Sequence, residues 1–201
     1  GYVMPDYSYE LKANECGFSR VCGVDEAGRG PLAGPVCAAA VILPAGVQIE
    51  RLDDSKKLSE KKREELFDVI KSVAVSYCVA YASVEEIEEQ NILNATFTAM
   101  KRAIAGLEVK PDYALIDGNR APGDMDIKYE TIIKGDGISM SIAAASILAK
   151  VSRDRLMLQI DKEFPEYNFK KHKGYGTAEH IALIKKYGIS PHHRKSFLKK
   201  I

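Results

Sequence analysis

The segment VCGVDEAGRGPLAGPVCAAAVIL, residues 21–43, contains two short apolar runs separated by a loop-like stretch. The first run, 21–24, stops at Asp25 and Glu26, and the second, 36–43, begins after a stretch rich in glycine and proline. Short apolar runs bounded by turn residues are typical of buried strands. The segment therefore predicts a strand, a loop and a second strand, with two carboxylates where the first strand ends.

Helix-like and strand-like patterns alternate over the rest of the chain. Ser59 predicts the N-cap of a helix that begins near Glu60, and Ser83 with Glu86 forms the capping-box pattern of a second helix. That second helix is predicted to continue to Gly106. The remaining predicted elements are strands over 75–81, 113–116 and 129–133 and a long helix over 138–163. This order predicts an α/β fold in which a mixed sheet is flanked by helices.

The sequence changes character after Pro165, which ends the long helix. A basic loop that contains glycine leads to a helix from about Thr177 to Tyr187, and Gly188 is the expected stop. We therefore expect three parts. They are an N-terminal segment over 1–18, the α/β domain over 19–165 and a small basic C-terminal helical extension over 166–201.

The composition of the 201 residues is suited to one α/β domain with a small extension. The four cysteines are Cys16, Cys22, Cys37 and Cys78. They form no C-x-x-C pair and have no histidine at zinc-ligand spacing, so neither a zinc site nor a disulfide framework is predicted. No signal-peptide pattern and no run of eighteen apolar residues is present. We expect a soluble, cytoplasmic monomer with no membrane partner.

The formal net charge is only +1, but basic residues are concentrated near the C-terminal end. From Lys170 to Lys200 the sequence has nine lysines and arginines against Glu179 alone. A charge run of this kind is usually a solvated face. It is also suited to an electrostatic groove for nucleic acid, because cations there would neutralise phosphates.

Acidic residues end three separate strand-like runs: Asp25 with Glu26, Asp117, and Asp136. Each acid alone is also an ordinary turn former, since Asp117 and Asp136 are both followed by glycine. Four acids at strand ends of one small sheet favour a different interpretation. Clustered carboxylates repel one another, so the cluster predicts compensation by hard divalent cations such as Mg²⁺ or Mn²⁺. Two such ions can catalyse phosphodiester hydrolysis.

The glycine loop after the first strand matches the pattern G-x-G-x-x-A of dinucleotide-binding folds, from Gly28 to Ala33. Two prolines, Pro31 and Pro35, disfavour the helix that such a site needs after the loop. A flexible turn is the simplest alternative, whereas beside the acids such a loop would allow close approach of a sugar. Asp154, between two arginines of the long helix, is interpreted as part of a structural ion pair.

Five stretches resemble motifs of the ribonuclease HII family: VDEAGRGPLAGPV, DSKKLSEKKREEL, LIDGN, KGDGISMSIAAASILAKVSRDRLM and HKGYGT. The resemblance extends from about residue 20 to residue 197. It implies a ribonuclease H-like fold and an endonuclease that cuts the RNA strand of RNA/DNA hybrids, or 5′ of single ribonucleotides embedded in duplex DNA. The expected products carry 3′-hydroxyl and 5′-phosphate ends, and the expected role is ribonucleotide removal during DNA repair and replication.

The resemblance also implies roles for individual residues. The catalytic acids, which would bind two Mg²⁺ or Mn²⁺ ions with substrate present, are Asp25, Glu26, Asp117 and Asp136. The residues that would contact the 2′-hydroxyl side of the ribonucleotide are Gly28, Arg29 and Gly30. Tyr175 would stack on the adjacent sugar, whereas Ser55, Lys56, Lys150 and the basic tail would contact phosphate. Gly137 departs from the alanine or serine usual after KGD.

Two other function classes stay open from the residues themselves. The first is a dinucleotide-dependent oxidoreductase built on the glycine loop, which a copurifying cofactor would reveal. The second is a hybrid-binding module without catalysis, which would use the basic C-terminal stretch and would make the four acids incidental.

Overall fold

The computed structural model describes residues 3–201 and contains a five-stranded mixed sheet with helices on both faces. The strands are β1 Val21–Ala27, β2 Val36–Ile42, β3 Ser76–Ala82, β4 Tyr113–Asp117 and β5 Lys128–Ile132. Their order is β3-β2-β1-β4-β5. β1, β4 and β5 run parallel, whereas β2 is antiparallel to both of its neighbours. The predicted α/β class with a mixed sheet is confirmed.

Helices cover the two faces of this sheet. They are α1 Ser8–Glu15, α2 Glu60–Val73, α3 Val84–Gln90, α4 Ile92–Ala105, α5 Met140–Glu163, α6 Phe169–His172 and α7 Ala178–Tyr187. α2 and α5 pack on one face, and α3 and α4 pack on the other. Strand β2 is buried along its whole length, because alternate residues such as Ala39 and Ala40 face the two different core clusters.

Helix α5 lies very close to the centre of the sheet. A Cβ atom placed on Gly23 of β1 would come within 2.2 Å of the Ser141 carbonyl carbon, so only glycine fits there. The alanines at 143–145 are fully buried against the sheet. Because these side chains are small, the helix can approach the sheet closely.

The prediction of one continuous helix from Ser83 to Gly106 is wrong, because two helices occupy this range. The capping box of Ser83 and Glu86 is present, but it opens only α3. Asn91 then adopts a φ of 74°, which ends α3, and its side chain accepts a hydrogen bond from the Asn94 amide to begin α4. Asparagine tolerates positive φ and is a favourable N-cap, so one residue ends one helix and starts the next.

Other boundaries differ from the prediction in ways that affect the acids. Strand β1 continues to Ala27, so Asp25 and Glu26 lie inside it and not beyond its end. The long helix begins at Met140 with Ser139 as its N-cap, because a 3-10 turn, Gly135–Gly137, precedes it. Helix α1 was not predicted.

The residues after α5 fold back onto the glycine loop. The Leu32 amide donates to the Gly174 carbonyl, and the Gly34 amide donates to the His192 carbonyl, each at 2.8 Å. The loop therefore runs between two C-terminal segments and leads into β2, not into a helix. Residues 3–201 contain no helix with the length and hydropathy that a membrane span requires.

Candidate active site

The carboxyl ends of three parallel strands meet at one edge of the sheet and bring four acidic residues together. Asp25 and Glu26 lie near the end of β1, Asp117 ends β4, and Asp136 lies in the 3-10 turn after β5. Carboxylate oxygens of Asp25, Asp117 and Asp136 all lie within 4.8 Å of one another. The sheet topology thus builds an acidic cluster from distant stretches of the sequence.

Backbone amides hold these carboxylates in place. The Asp25 carboxylate accepts a hydrogen bond of 2.8 Å from the Glu26 amide. The Asp117 carboxylate accepts one of 3.1 Å from the Asp136 amide, which links the end of β4 to the turn after β5. These hydrogen bonds fix the positions of the acids without neutralising their charge.

The cluster carries more negative charge than its surroundings offset. Burial raises the pKa of Asp25 well above its usual range, and the three neighbouring acids raise it further. Burial also raises the pKa of Glu26 and of Asp117. Lys56 places its Nζ 2.9 Å from the Asp136 carboxylate, but 75% of the Lys56 side chain is exposed. Water screens this ion pair, so Lys56 compensates only part of the repulsion.

The donor atoms present fit a divalent metal ion. Glu26 Oε2 is buried and has no hydrogen-bond partner in the described part of the chain. Together with the three clustered carboxylates, it forms a set of oxygen donors alone, which is the set that Mg²⁺ and Mn²⁺ prefer. Asp25, Asp117 and Asp136 would hold such an ion, with Glu26 available beside them.

The acidic cluster lies in a cleft of about 320 Å³. Lys150 lines this cleft, and so do ten other residues predicted for the site. They are Asp25, Glu26, Gly28, Arg29, Gly30, Ser55, Lys56, Asp117, Asp136 and Tyr175. Residues from five separate parts of the sequence therefore share one surface, which could accommodate a sugar-phosphate chain next to the acids.

Ser146 also lines the cleft, although it was not predicted. Its hydroxyl lies on α5, 2.8 Å from the Ser55 hydroxyl, and so ties the DSKKL segment to the helix. A signal for it existed in the sequence. Ser146 interrupts an apolar run and precedes Lys150 by four residues, which places both side chains on one helix face.

Tyr175 presents a partly exposed ring to the cleft, with 39% of the residue accessible. Lys150 Nζ lies 5.6 Å from the centre of this ring and 3.1 Å from the Asp154 carboxylate. The interpretation of Asp154 as part of a structural ion pair is confirmed, although its partner is Lys150 and not a flanking arginine. An exposed ring beside a cation is suited to stacking on a nucleotide.

Two buried histidines hold the backbone of Tyr175. His180 Nδ1 lies 2.8 Å from the Tyr175 carbonyl and must donate, so its Nε2 accepts from His193 Nε2 at 3.0 Å. His193 Nδ1 in turn accepts from the Ser190 amide. Burial lowers the pKa of both rings to about 4, so both are neutral near pH 7. The network leaves each ring with one donor and one acceptor, as a neutral imidazole requires.

Comparison with known proteins identifies the family. The model of the family described as Ribonuclease HII matches residues 22–200. The chain belongs to the ribonuclease HII family. The ribonuclease HII of Clostridioides difficile is 56% identical over 193 residues, which cover 96% of this chain and 75% of the relative. The ribonuclease HII of Burkholderia thailandensis is 59% identical over 177 residues, which cover 88% of this chain and 82% of the relative.

A solved structure has a similar fold. The crystal structure of ribonuclease H2 from Pyrococcus horikoshii superposes with a TM-score of 0.72 and 28% sequence identity, and the match covers 89% of this chain and 93% of that one. This chain is thus a ribonuclease H-type hydrolase that acts on phosphodiester bonds in RNA/DNA hybrids. Enzymes of this type are metal-dependent, in agreement with the oxygen donor set. The oxidoreductase alternative is excluded.

Proposed function

We propose that this enzyme cuts the RNA strand of RNA/DNA hybrids and also cuts 5′ of single ribonucleotides embedded in duplex DNA. The products would carry 3′-hydroxyl and 5′-phosphate ends, and the role would be ribonucleotide removal during DNA repair and replication. The proposal depends on one observation: three carboxylates lie within 4.8 Å of one another in a cleft that the glycine loop and Tyr175 also line.

In this proposal the four acids hold two Mg²⁺ or Mn²⁺ ions while substrate is bound. Such ions supply an activated water for in-line attack and stabilise the leaving oxygen of a phosphodiester. The protein supplies fixed positions. Because backbone amides already hold Asp25 and Asp117, their carboxylates need little rearrangement when the scissile phosphate arrives.

The other cleft residues would select the substrate. Gly28 and Gly30 flank Arg29 in a wall of the cleft, where backbone can approach a ribose closely. Tyr175 would stack on the neighbouring sugar at the junction of RNA and DNA. Ser55 and Lys56 would contact backbone phosphate, as would Lys150 and the basic tail. The monomeric state and the cytoplasmic location stay predictions.

The test is a cleavage assay with three duplexes of one sequence: an RNA/DNA hybrid, a DNA duplex with a single ribonucleotide, and an all-DNA duplex. We expect cuts in the first two only, in the presence of Mg²⁺ or Mn²⁺, and 5′ of the single ribonucleotide. Failure to cut the single-ribonucleotide duplex would contradict the proposed substrate range, whereas chelator-resistant cleavage would contradict the metal role.

Asp136→Ala tests the assignment of the fourth acid. We expect this variant to lose cleavage while it keeps most of its affinity for the duplex, because the substitution removes a ligand and not a phosphate contact. Asp124→Ala is the matched control, since Asp124 is an exposed acid paired with Lys101 outside the cleft. Wild-type cleavage rates in Asp136→Ala would show that Asp136 is not needed.

A further inference from the structure

Two arginines are buried without a carboxylate partner in the part of the chain that the structure describes. Arg194 is 0% exposed, and Arg153, on α5, is 1% exposed. The donors of both guanidinium groups go to backbone carbonyl oxygens. A buried cation is costly without compensation, so these carbonyl groups must be held against the guanidinium groups with good geometry.

Arg194 binds the backbone of the glycine loop and does not line the cleft. Its guanidinium donates to the carbonyl oxygens of Gly34 at 2.9 Å, Arg29 at 3.0 Å and Gly28 at 2.6 Å. Burial, together with the neighbouring charge of Arg153, lowers the pKa of Arg194 to about 9. The group is therefore still a cation near pH 7, and the three carbonyl groups solvate it.

Arg153 binds the same loop at Ala33 and Pro35. It donates to the carbonyl oxygens of Pro35 at 2.9 Å, Ala33 at 2.8 Å and Lys173 at 2.8 Å. The last bond connects the glycine loop with the segment that carries Tyr175. The two arginines thus set the shape of the loop and its distance from the stacking residue.

The orientation of the loop amides follows from these carbonyl contacts. A trans peptide is planar, and its C=O and N–H point in opposite directions; no cis bond occurs in residues 3–201. Since the Gly28 and Arg29 carbonyls face the buried Arg194, the amides of Arg29 and Gly30 point away from Arg194, and both residues line the cleft. Neither amide donates to a group in the described chain.

A cation on a peptide oxygen also strengthens the donor at the other end of that peptide. Hydrogen bonds to charged groups are stronger than neutral ones, and linked hydrogen bonds polarise one another. The amides of Arg29 and Gly30 are therefore two polarised donors, held in fixed directions and ready for an acceptor oxygen of the substrate.

We propose that Arg194 is a positioning residue that holds the Gly28–Arg29 and Arg29–Gly30 peptides so that their amides donate to the 2′-hydroxyl oxygen of the ribonucleotide. This inference rests on the proposed function, because it assigns that loop to the ribose. Arg194 itself does not touch substrate. Its effect reaches the ribose through two peptide groups.

The test compares Arg194→Lys and Arg194→Met with the wild-type enzyme on two ligands. The first is the single-ribonucleotide duplex, for which kcat and KM are measured. The second is the all-DNA duplex of the same sequence, for which a competitive inhibition constant is measured. Arg155→Met is the matched control, because Arg155 is an arginine of α5 that pairs with Glu64 at the surface.

We expect Arg194→Lys to lower kcat/KM on the single-ribonucleotide duplex by about 30-fold, the equivalent of about 2 kcal/mol for two misdirected hydrogen bonds. The inhibition constant of the all-DNA duplex should stay within about 2-fold, because that duplex has no 2′-hydroxyl. Arg194→Met should lose more than Arg194→Lys, and Arg155→Met should match the wild type.

Two outcomes would overturn the inference. If kcat/KM in Arg194→Lys is unchanged, the guanidinium group does not fix the direction of the two amides. If binding of both duplexes weakens equally, the amides face a phosphate oxygen and not the ribose. Either result is distinct from a failure of the proposed function, in which the wild-type enzyme itself would leave the single-ribonucleotide duplex uncut.

A second altered enzyme covers the case in which neither Arg194 variant folds. Chemical ligation can replace the amide between Arg29 and Gly30 with an ester, which removes one donor and leaves Arg194 in place. We expect the same selective loss on the ribonucleotide duplex. An ester enzyme with wild-type kcat/KM would overturn the inference.

Discussion

Replacement of Asp25 by asparagine is expected to stabilise the protein in the absence of divalent ions while it abolishes cleavage. Asp25 is buried, and its carboxylate lies within 4.8 Å of those of Asp117 and Asp136. Asparagine has nearly the same shape and keeps an oxygen that can accept from the Glu26 amide. The substitution therefore removes a charge with little change in packing.

The expected gain follows from the distance between the carboxylates. Two unit charges 4.8 Å apart repel by ~3.5 kcal/mol at an effective dielectric constant of about 20. Protonation of Asp25 would relieve this repulsion. It would cost roughly 4 kcal/mol at about pH 7, because the ordinary pKa of the carboxyl is 3.8. Because Lys56 offsets part of the repulsion, we expect a net gain of about 2 kcal/mol, or roughly 4–8 °C in Tm.

The assay is thermal unfolding in chelator and again in Mg²⁺. Wild type should gain Tm with Mg²⁺, because an ion that binds only the folded state stabilises it. Asp25→Asn should start higher in chelator and gain little from Mg²⁺. Asp124→Asn, at an exposed acid paired with Lys101, is the control and should leave Tm close to that of the wild type.

An unchanged or lower Tm for Asp25→Asn in chelator would refute the reasoning, since it would mean that the cluster carries no stored repulsion. If the Tm of the wild type does not change with Mg²⁺, the acids do not bind the ion in the free enzyme.

Two further predictions concern Gly28 of the glycine loop and the two buried histidines behind Tyr175. Gly28→Ala should lower stability by about 1–3 kcal/mol in chemical denaturation, because its Cβ would lie 2.1 Å from Arg153 Nε at a φ of +91°. Gly30→Ala, whose Cβ meets nothing within 4 Å, is the control, and equal losses would contradict the steric cause. Acidification from about pH 7 to 4.5 should destabilise the fold, because the pKa of His180 and His193 is about 4 when folded against 6.5 when unfolded. The unfolded chain then binds more protons, which costs up to roughly 3 kcal/mol per ring. In His193→Gln, Tm should fall less steeply with falling pH than in the wild type. If the two curves of Tm against pH are parallel, protonation of the histidine rings is not the cause of the loss.

Features encoded within a few neighbouring residues were predictable from the sequence. Ser59 and Ser83 cap helices as expected, because a cap involves only residues two or three positions away. Asp25 and Asp117 lie near the ends of parallel strands, and parallel strand ends share an edge of the sheet. Local pattern and general topology were therefore enough to expect an acidic cluster.

Features that depend on distant residues were not predictable in the same way. Arg194 counts as one cation among nine in a basic stretch, yet it is completely buried against the glycine loop. Lys56 forms its ion pair with Asp136, 80 residues away. Asn91 ends a helix through its own backbone conformation, which a periodic pattern of apolar residues does not reveal. In each case the tertiary structure decides between roles that the residue type allows equally.

The hydrogen bond from Arg194 to the Arg29 carbonyl spans 165 positions. A ribosome adds Arg194 165 positions after Arg29, so the loop that would face the ribose first exists without the guanidinium that shapes it. A nascent chain with its acidic cluster already assembled would still be unable to choose between ribose and deoxyribose. Selectivity would thus be acquired after the acidic cluster, once Arg194 has been added and has left the exit tunnel.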